Sequence, residues 1–169
     1  MKRYIKSVEV TPDYVVKRII ARLSIKRDKC PAEYDIAFYD DTLATIPDAT
    51  LNSVKSLGNV DTLIIGGMDR GIGYDDFVKK LADSSVSNII CQPETGLYIY
   101  EKLFELKLEK NIFYIETMDD AVKKAYEVTE KGKSCLLSPS APSYNIYKNY
   151  EEKSKDYIEC VKKYSLHLK

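Results

Sequence analysis

The sequence predicts an α/β fold: a Rossmann-like, open and mostly parallel β-sheet with helices on both faces. Two observations carry that prediction. Short apolar runs rich in β-branched and aromatic residues recur at similar intervals, each too short for a helix and lacking strict alternation, as strands covered on both faces do. Between them lie segments whose apolar residues repeat with the period of a helix.

In chain order, IAFY (36–39) opens the sheet. Residues 47–57, PDATLNSVKSL, form the first crossover helix, with Pro47 in its first turn and Gly58 just beyond its end. VDTLIIGG (60–67) is the second strand. Residues 74–81, YDDFVKKL, place acids early and lysines late, as the helix dipole favours. NIICQ (88–92) is the third strand, and the next helix, 95–106, carries Leu97, Ile99, Tyr100, Leu103 and Phe104. NIFYI (111–115) precedes a helix over 117–129 with Met118, Ala121, Val122, Ala125 and Val128, and SCLLS (134–138) is the fifth strand. The last helix is expected from about 147 to 164. Strands joined in this way take right-handed crossovers. Residues 1–35 fit the alternation less well: VVKRIIARL suits a short helix and KRDKCPAEYD a polar connection. They read as an N-terminal extension or linker ahead of a domain over 36–169.

Composition narrows the function. At 169 residues, 44% apolar and 31% charged, the chain has the makings of one globular domain. Twenty-six basic residues balance twenty-six acidic ones, so no net field recruits nucleic acid or an anionic membrane, and neither is expected as a partner. The start, MKRYIKSVEVTPDYVVKR, lacks the apolar core of a signal peptide, and no run approaches the ~18 apolar residues of a membrane span, so a cytoplasmic location is expected. Cys30, Cys91, Cys135 and Cys160 are widely spaced, and His167 is the sole histidine. They read as reduced, packed thiols, and no metal site is expected.

In open α/β sheets, ligands bind at the carboxyl ends of the strands. Three loops with unusual content follow strands here, and all three should lie on one edge. YDDTLATIPDAT (39–50) offers Asp40, Asp41, Thr42 and Thr45 ahead of a helix, where they could meet ribose, a metal or an anion. Taken alone, the simpler reading is that Thr45 or Asp48 caps the helix. GGMDRGIGYDD (66–76) holds Arg70 among glycines. It suits a carboxylate or phosphate through the guanidinium fork, or a surface pairing with Asp69 or Asp75, and it is neither a dinucleotide fingerprint nor a P-loop. SPSAPSYN (138–145) offers Ser138, Ser140 and Ser143 ahead of a helix whose free N–H groups would complete a carboxylate seat. Tyr144, Tyr147 and Tyr150 have the spacing of a packing stripe. With the only histidine near the end of the chain, no serine has the partners of a nucleophile.

Together the three loops resemble the C-terminal domain of the Mur ligases, most closely of their D-glutamate-adding members. YDDTLATIP is similar to that family's Asn-Asp-Ser-Lys-Ala-Thr-Asn-Pro, GGMDRGIGY to its GG-x-D-K-G with a following aromatic, and LLSPSAPSYNIYKNYEEKS to its LLSPA-x-ASFD-x-FKNFEERG. The resemblance implies one domain of a three-domain, ATP-dependent ligase of peptidoglycan synthesis. The other two domains would hold UDP-N-acetylmuramoyl-L-alanine and, on a P-loop, ATP with Mg2+; with no GxxGKT motif here, this chain alone should not turn over ATP. Carried over by position, Thr45, Arg70, Ser143, Tyr144 and Tyr150 would receive the carboxylates of glutamate, D- in preference to L-, with Tyr150 closing the pocket. Asp41 and Arg22 would lie toward the nucleotide. Tyr147 is assigned to packing. Leu43 stands in place of the motif's lysine, Asp40 and Ile46 in place of its asparagines, and Lys153-Ser154 in place of Arg-Gly. The competing expectation is a stand-alone binding module for an amino acid or nucleotide, without ligase activity.

Overall fold

A computed structural model describes residues 36–167. The proposed extension over 1–35 and Arg22 within it lie outside the described residues. Five strands, β1 (Ala37–Asp40), β2 (Val60–Ile65), β3 (Asn88–Cys91), β4 (Asn111–Tyr114) and β5 (Ser134–Leu137), alternate with α1 (Pro47–Leu57), α2 (Asp75–Ala82), α3 (Thr95–Glu105), α4 (Met118–Val128) and α5 (Tyr150–His167). All strand pairs are parallel, in the order β1-β5-β2-β3-β4.

The absence of alternation in the strands follows from two covered faces. In β2 all six residues are buried: Ile64 faces α4 and α5 beside Ile90, Cys135 and Leu137, while Leu63 and Ile65 face α1, α2 and α3 beside Ile89, Cys91 and Leu136. Each such side chain contributes roughly 1.5–3 kcal/mol by leaving water. The thiols of Cys91, Cys135 and Cys160 are free and buried in these clusters; burial pushes those of Cys135 and Cys160 up to about 12 and that of Cys91 higher still, which fits their reading as packed thiols. Among the described residues no helix is long and apolar enough to cross a membrane.

Helix ends decide where the loops point. Gly58, at φ 70°, closes α1 with its N–H on Val54 O, as the sequence anticipates. At the other end the position before Pro47 is Ile46, which makes no side-chain cap, so neither Thr45 nor Asp48 caps α1. Tyr74 stands just ahead of α2 rather than within it. The largest difference is in α5, which begins at Tyr150 instead of near 147. Residues 144–146 form a separate turn, closed by the Tyr147 N–H on Ser143 O at 3.0 Å. Asn149 then caps the helix, its Oδ1 accepting from Glu152 N–H at 2.8 Å while Glu152 Oε2 accepts from Lys148 N–H at 2.6 Å.

Candidate functional site

Because every strand runs the same way, the loops after β1, β2, β3 and β5 converge on one edge of the sheet, as expected for the three loops. The β2 and β5 loops are laced by backbone bonds: Gly66 N–H reaches Pro139 O at 2.9 Å and Met68 N–H reaches Pro142 O at 2.7 Å. On the other side, Gly67 O accepts from both Glu94 and Thr95 N–H at 3.1 Å, and Gly67 N–H donates to Thr95 Oγ1 at 3.2 Å. Gly66 allows this approach. Its φ is 119°, and a Cβ there would lie 2.1 Å from Gln92 O.

The β1 loop is fixed by its two carboxylates. Asp40 Oδ1 accepts from Thr42 N–H at 3.0 Å, and its Oδ2 accepts from Ser154 Oγ. Asp41 turns the other way, its Oδ2 accepting from Ser53 Oγ at 2.5 Å and Ser138 Oγ at 3.2 Å, with Ser138 also joined to Thr50. Asp41 is only 2% exposed and braces the β1 loop against α1 and β5. The structure therefore turns this expected nucleotide-side residue inward.

Of the residues expected to meet a substrate, Thr45 and Arg70 are brought together: Arg70 Nη2 donates to Thr45 O at 3.1 Å, across 25 positions of sequence. Arg70 is exposed, and its guanidinium bonds that carbonyl rather than Asp69, whose Oδ1 accepts from Gly71 N–H, or Asp75, whose Oδ1 accepts from Tyr98. Ser143 is 3% exposed, and its hydroxyl has no hydrogen-bond partner among the described residues. Thr42 and Ser140 share that condition, and Ser140 also holds a φ of 57°. These three hydroxyls are the only buried side-chain polar atoms without a partner among the described residues, and all lie on this edge. Tyr144 projects outward, 64% exposed beside Ile146. Tyr150 opens α5 and lines a groove of about 420 Å³ along that helix with Ser154, Lys155 and Ile158. The helix whose N–H groups were expected just after Ser143 starts later, at Tyr150, where Asn149 caps it, and a turn closed by the Ile146 and Tyr147 N–H groups on Ser143 O takes its place there.

Other residues of the site were not singled out from the sequence. Tyr74 is buried and its hydroxyl donates to Ser140 O at 3.1 Å, tying the β2 loop to the β5 loop; burial raises its pKa. Its signal was present, as the aromatic that follows the glycine motif. Asn145 Nδ2 donates to Pro93 O at 2.8 Å. Lys153 is 3% exposed and donates to Gly66 O at 2.8 Å; burial lowers its pKa to about 8, against the opposing pull of Asp40. Tyr147, assigned to packing, is half-buried and also donates to Asp156 Oδ2 at 2.6 Å.

The edge thus offers an exposed guanidinium, buried hydroxyls and close backbone, a donor-rich surface suited to carboxylates. Among the described residues no three potential ligands cluster, and the Asp40 and Asp41 carboxylates are already held by N–H and O–H donors.

No family model matches the chain. It is 39% identical over 127 residues to the UDP-N-acetylmuramoylalanine--D-glutamate ligase of Caldanaerobacter subterraneus subsp. tengcongensis, covering 75% of this chain and 28% of that protein. It is 32% identical over 127 residues, with the same coverage, to the enzyme of that name from Clostridioides difficile. The UDP-N-acetylmuramoyl-L-alanine--L-glutamate ligase of a Micromonospora species is 35% identical over 131 residues, again covering 75% and 28%. Among solved structures, the MurF ligase of Thermotoga maritima in complex with ADP superposes with a TM-score of 0.50 at 13% identity, over 81% of this chain and 32% of that one, a likeness of fold. The chain spans about 28% of the length of the curated relatives it matches. Matched along three quarters of its own length by these ligases, the chain belongs to the Mur ligase family.

Proposed function

We propose that this chain is the amino-acid-binding domain of an ATP-dependent ligase that adds glutamate to UDP-N-acetylmuramoyl-L-alanine, complete only with the parts of its relatives that it does not span. The observation that carries the reading is the meeting of Thr45 and Arg70 at 3.1 Å on the edge that also holds the buried Ser143 hydroxyl, which has no partner among the described residues. A buried hydroxyl without a partner is costly in the free protein, and a carboxylate oxygen would satisfy it. A dicarboxylic amino acid could place one carboxylate on Arg70 and the other on the serine hydroxyls, leaving its amine free.

The work of this domain is then positioning. Holding the amine against an acyl group activated elsewhere makes the encounter effectively unimolecular, and nothing in the site calls for a covalent intermediate on the protein. ATP and Mg2+ are assigned to the parts of the ligase beyond this chain, since the carboxylates here are engaged. D-glutamate is the proposed substrate, after the ligases named for it; the Micromonospora relative is named for the L-isomer, and Leu43 removes a cation that the family motif carries.

The test is an NMR titration of the 15N-labelled chain with D- and L-glutamate. The expected result is amide shifts gathered on residues 42–46, 66–70 and 140–147, larger for the D-isomer and lost in Arg70→Ala. Shifts scattered over the helices, or none at tens of millimolar glutamate, would refute the reading. The same chain should show no ATPase activity.

A further inference from the structure

Lys153 lies in the first turn of α5, 3% exposed, where a methionine could fill the same volume without removing an ammonium from water. What the ammonium does there is specific. It donates to Gly66 O at 2.8 Å, at the start of the loop that carries Arg70 four residues on. The next residue, Ser154, donates to Asp40, whose other oxygen accepts from Thr42 N–H in the loop that carries Thr45. One helical turn therefore ties both loops, and the loops meet at the Arg70–Thr45 bond. Asp40 is the carboxylate whose charge acts on Lys153; Asp41, its neighbour, is turned to Ser53 and Ser138. Asp40, Lys153 and Ser154 are also three positions at which this sequence departs from the Mur ligase motif; Ser154 bonds Asp40, and the charge of Asp40 reaches Lys153. Groups in contact act together, and their effects are not separable by single changes.

We propose that Lys153, held in place by Asp40 and Ser154, is a positioning residue of the amino-acid receptor, its ammonium fixing the Gly66–Arg70 loop at the distance from Thr45 that captures a dicarboxylic amino acid. The inference rests on the amino-acid-binding reading above. It separates Lys153 from an arginine at the same place: loss of the proton weakens a charge-assisted bond, and an arginine keeps its proton throughout the accessible range.

The experiment uses the full 169-residue chain, 15N-labelled and titrated with D-glutamate at pH 7 and pH 9. The variants are Lys153→Arg, Lys153→Met and the double Asp40→Asn/Lys153→Met, which removes both charges and guards against unfolding by an unpaired one. With Lys153 near pH 8, protonated in about nine chains of ten at pH 7 and about one of ten at pH 9, the parent is expected to lose about three- to fivefold in affinity between the two pH values relative to Lys153→Arg. Lys153→Arg should stay within about threefold of the parent at pH 7, while both methionine variants lose about tenfold, with amide shifts confined to 42–45 and 66–70. A folded double variant that binds like the parent, or equal pH dependence in parent and Lys153→Arg, overturns the proposal. If no variant and not the parent binds glutamate, the amino-acid reading fails. The amide positions of Gly66, Gly67 and Met68 in Lys153→Met then decide the positioning role alone, support requiring that they move and their standing still overturning it.

Discussion

Gly66→Ala tests how the site is built. The residue combines a φ of 119° with a backbone neighbour, Gln92 O, only 2.1 Å from where a Cβ would stand. The unfavourable backbone region costs about 1–3 kcal/mol for alanine. The approach to a carbonyl, which cannot swing aside as a flexible side chain would, adds about 1–3 kcal/mol of overpacking. The expected loss is therefore about 2–6 kcal/mol, a large share of the 5–15 kcal/mol typical of a domain. At roughly 3–5 °C per kcal/mol, Tm should fall by about 6–30 °C. Two neighbours separate the causes. Gly71, at φ 72° with nothing within 4 Å of a Cβ, should cost only about 1 kcal/mol as alanine. Gly73, with open space and no such φ, should be neutral or slightly stabilised. Urea denaturation of the three variants gives the ranking. Equal losses at Gly66 and Gly71, within about 0.5 kcal/mol, would refute the claim that close approach of the β3 loop fixes this corner.

Three further outcomes follow from the same edge. Lys153 has a folded pKa of about 8, below its unfolded value, so its charged form is penalised in the folded chain below that pH and the penalty lifts as pH rises. Stability relative to Lys153→Arg should increase by about 2 kcal/mol between pH 7.5 and 9.5, and parallel curves would dismiss it; the buried cysteines and tyrosines, whose raised pKa values lower stability as pH rises, are common to both chains and cancel in the difference. Asp41→Ala removes the carboxylate that accepts from Ser53 and Ser138, which keep Ala49 O and Thr50 Oγ1 as partners, and should cost about 1–3 kcal/mol by urea denaturation, whereas a loss under about 0.5 kcal/mol would free Asp41 from its bracing role. Ser143→Ala removes a buried hydroxyl that lacks a partner among the described residues, so the free chain should be stabilised by up to about 1 kcal/mol while glutamate binding weakens; a destabilised variant with unchanged binding would show the hydroxyl to be structural.

The sheet was legible because its signal is local. A strand covered on both faces, such as VDTLII, needs no partner sequence to be recognised, and Pro47 and Gly58 mark the ends of α1 by their own backbone preferences. The start of α5 was misread for a related reason. Tyr144, Tyr147 and Tyr150 repeat at helical spacing, yet Asn149 is the better cap, and the chain spends 144–146 in a turn before the helix begins. The site was legible as three loops and not as a set of contacts. Lys153 bonds Gly66 across 87 positions and Ser154 reaches Asp40 across 114, so their burial depends on how α5 lies over the sheet, which no local pattern encodes. Asp41 stood out as one of two adjacent carboxylates, but which of them turns inward is settled by Ser53 and Ser138.

The two ends of the sheet show why the carboxyl edge is the one built to bind. At the opposite end, Asp61, Thr62, Asn88 and Thr129 are also buried and polar, and they satisfy one another: Asp61 Oδ2 accepts from Asn88 Nδ2 and Glu130 N–H at 2.9 Å, Thr62 and Thr129 share a hydrogen at 2.7 Å, and Asn88 Oδ1 accepts from Asn111 Nδ2 at 2.8 Å. That network is what a domain makes when polar burial serves only its fold. The carboxyl edge instead gathers all three of the buried hydroxyls that lack a partner among the described residues, and a buried ammonium, each a cost of order 1–3 kcal/mol to the free chain. Chance would scatter such costs over both ends. Their confinement to the loops that hold Thr45, Arg70 and Ser143 is the pattern expected of a site whose missing hydrogen bonds are supplied by its ligand, and it predicts that binding and stability will trade against each other at Ser143 and Lys153 alike.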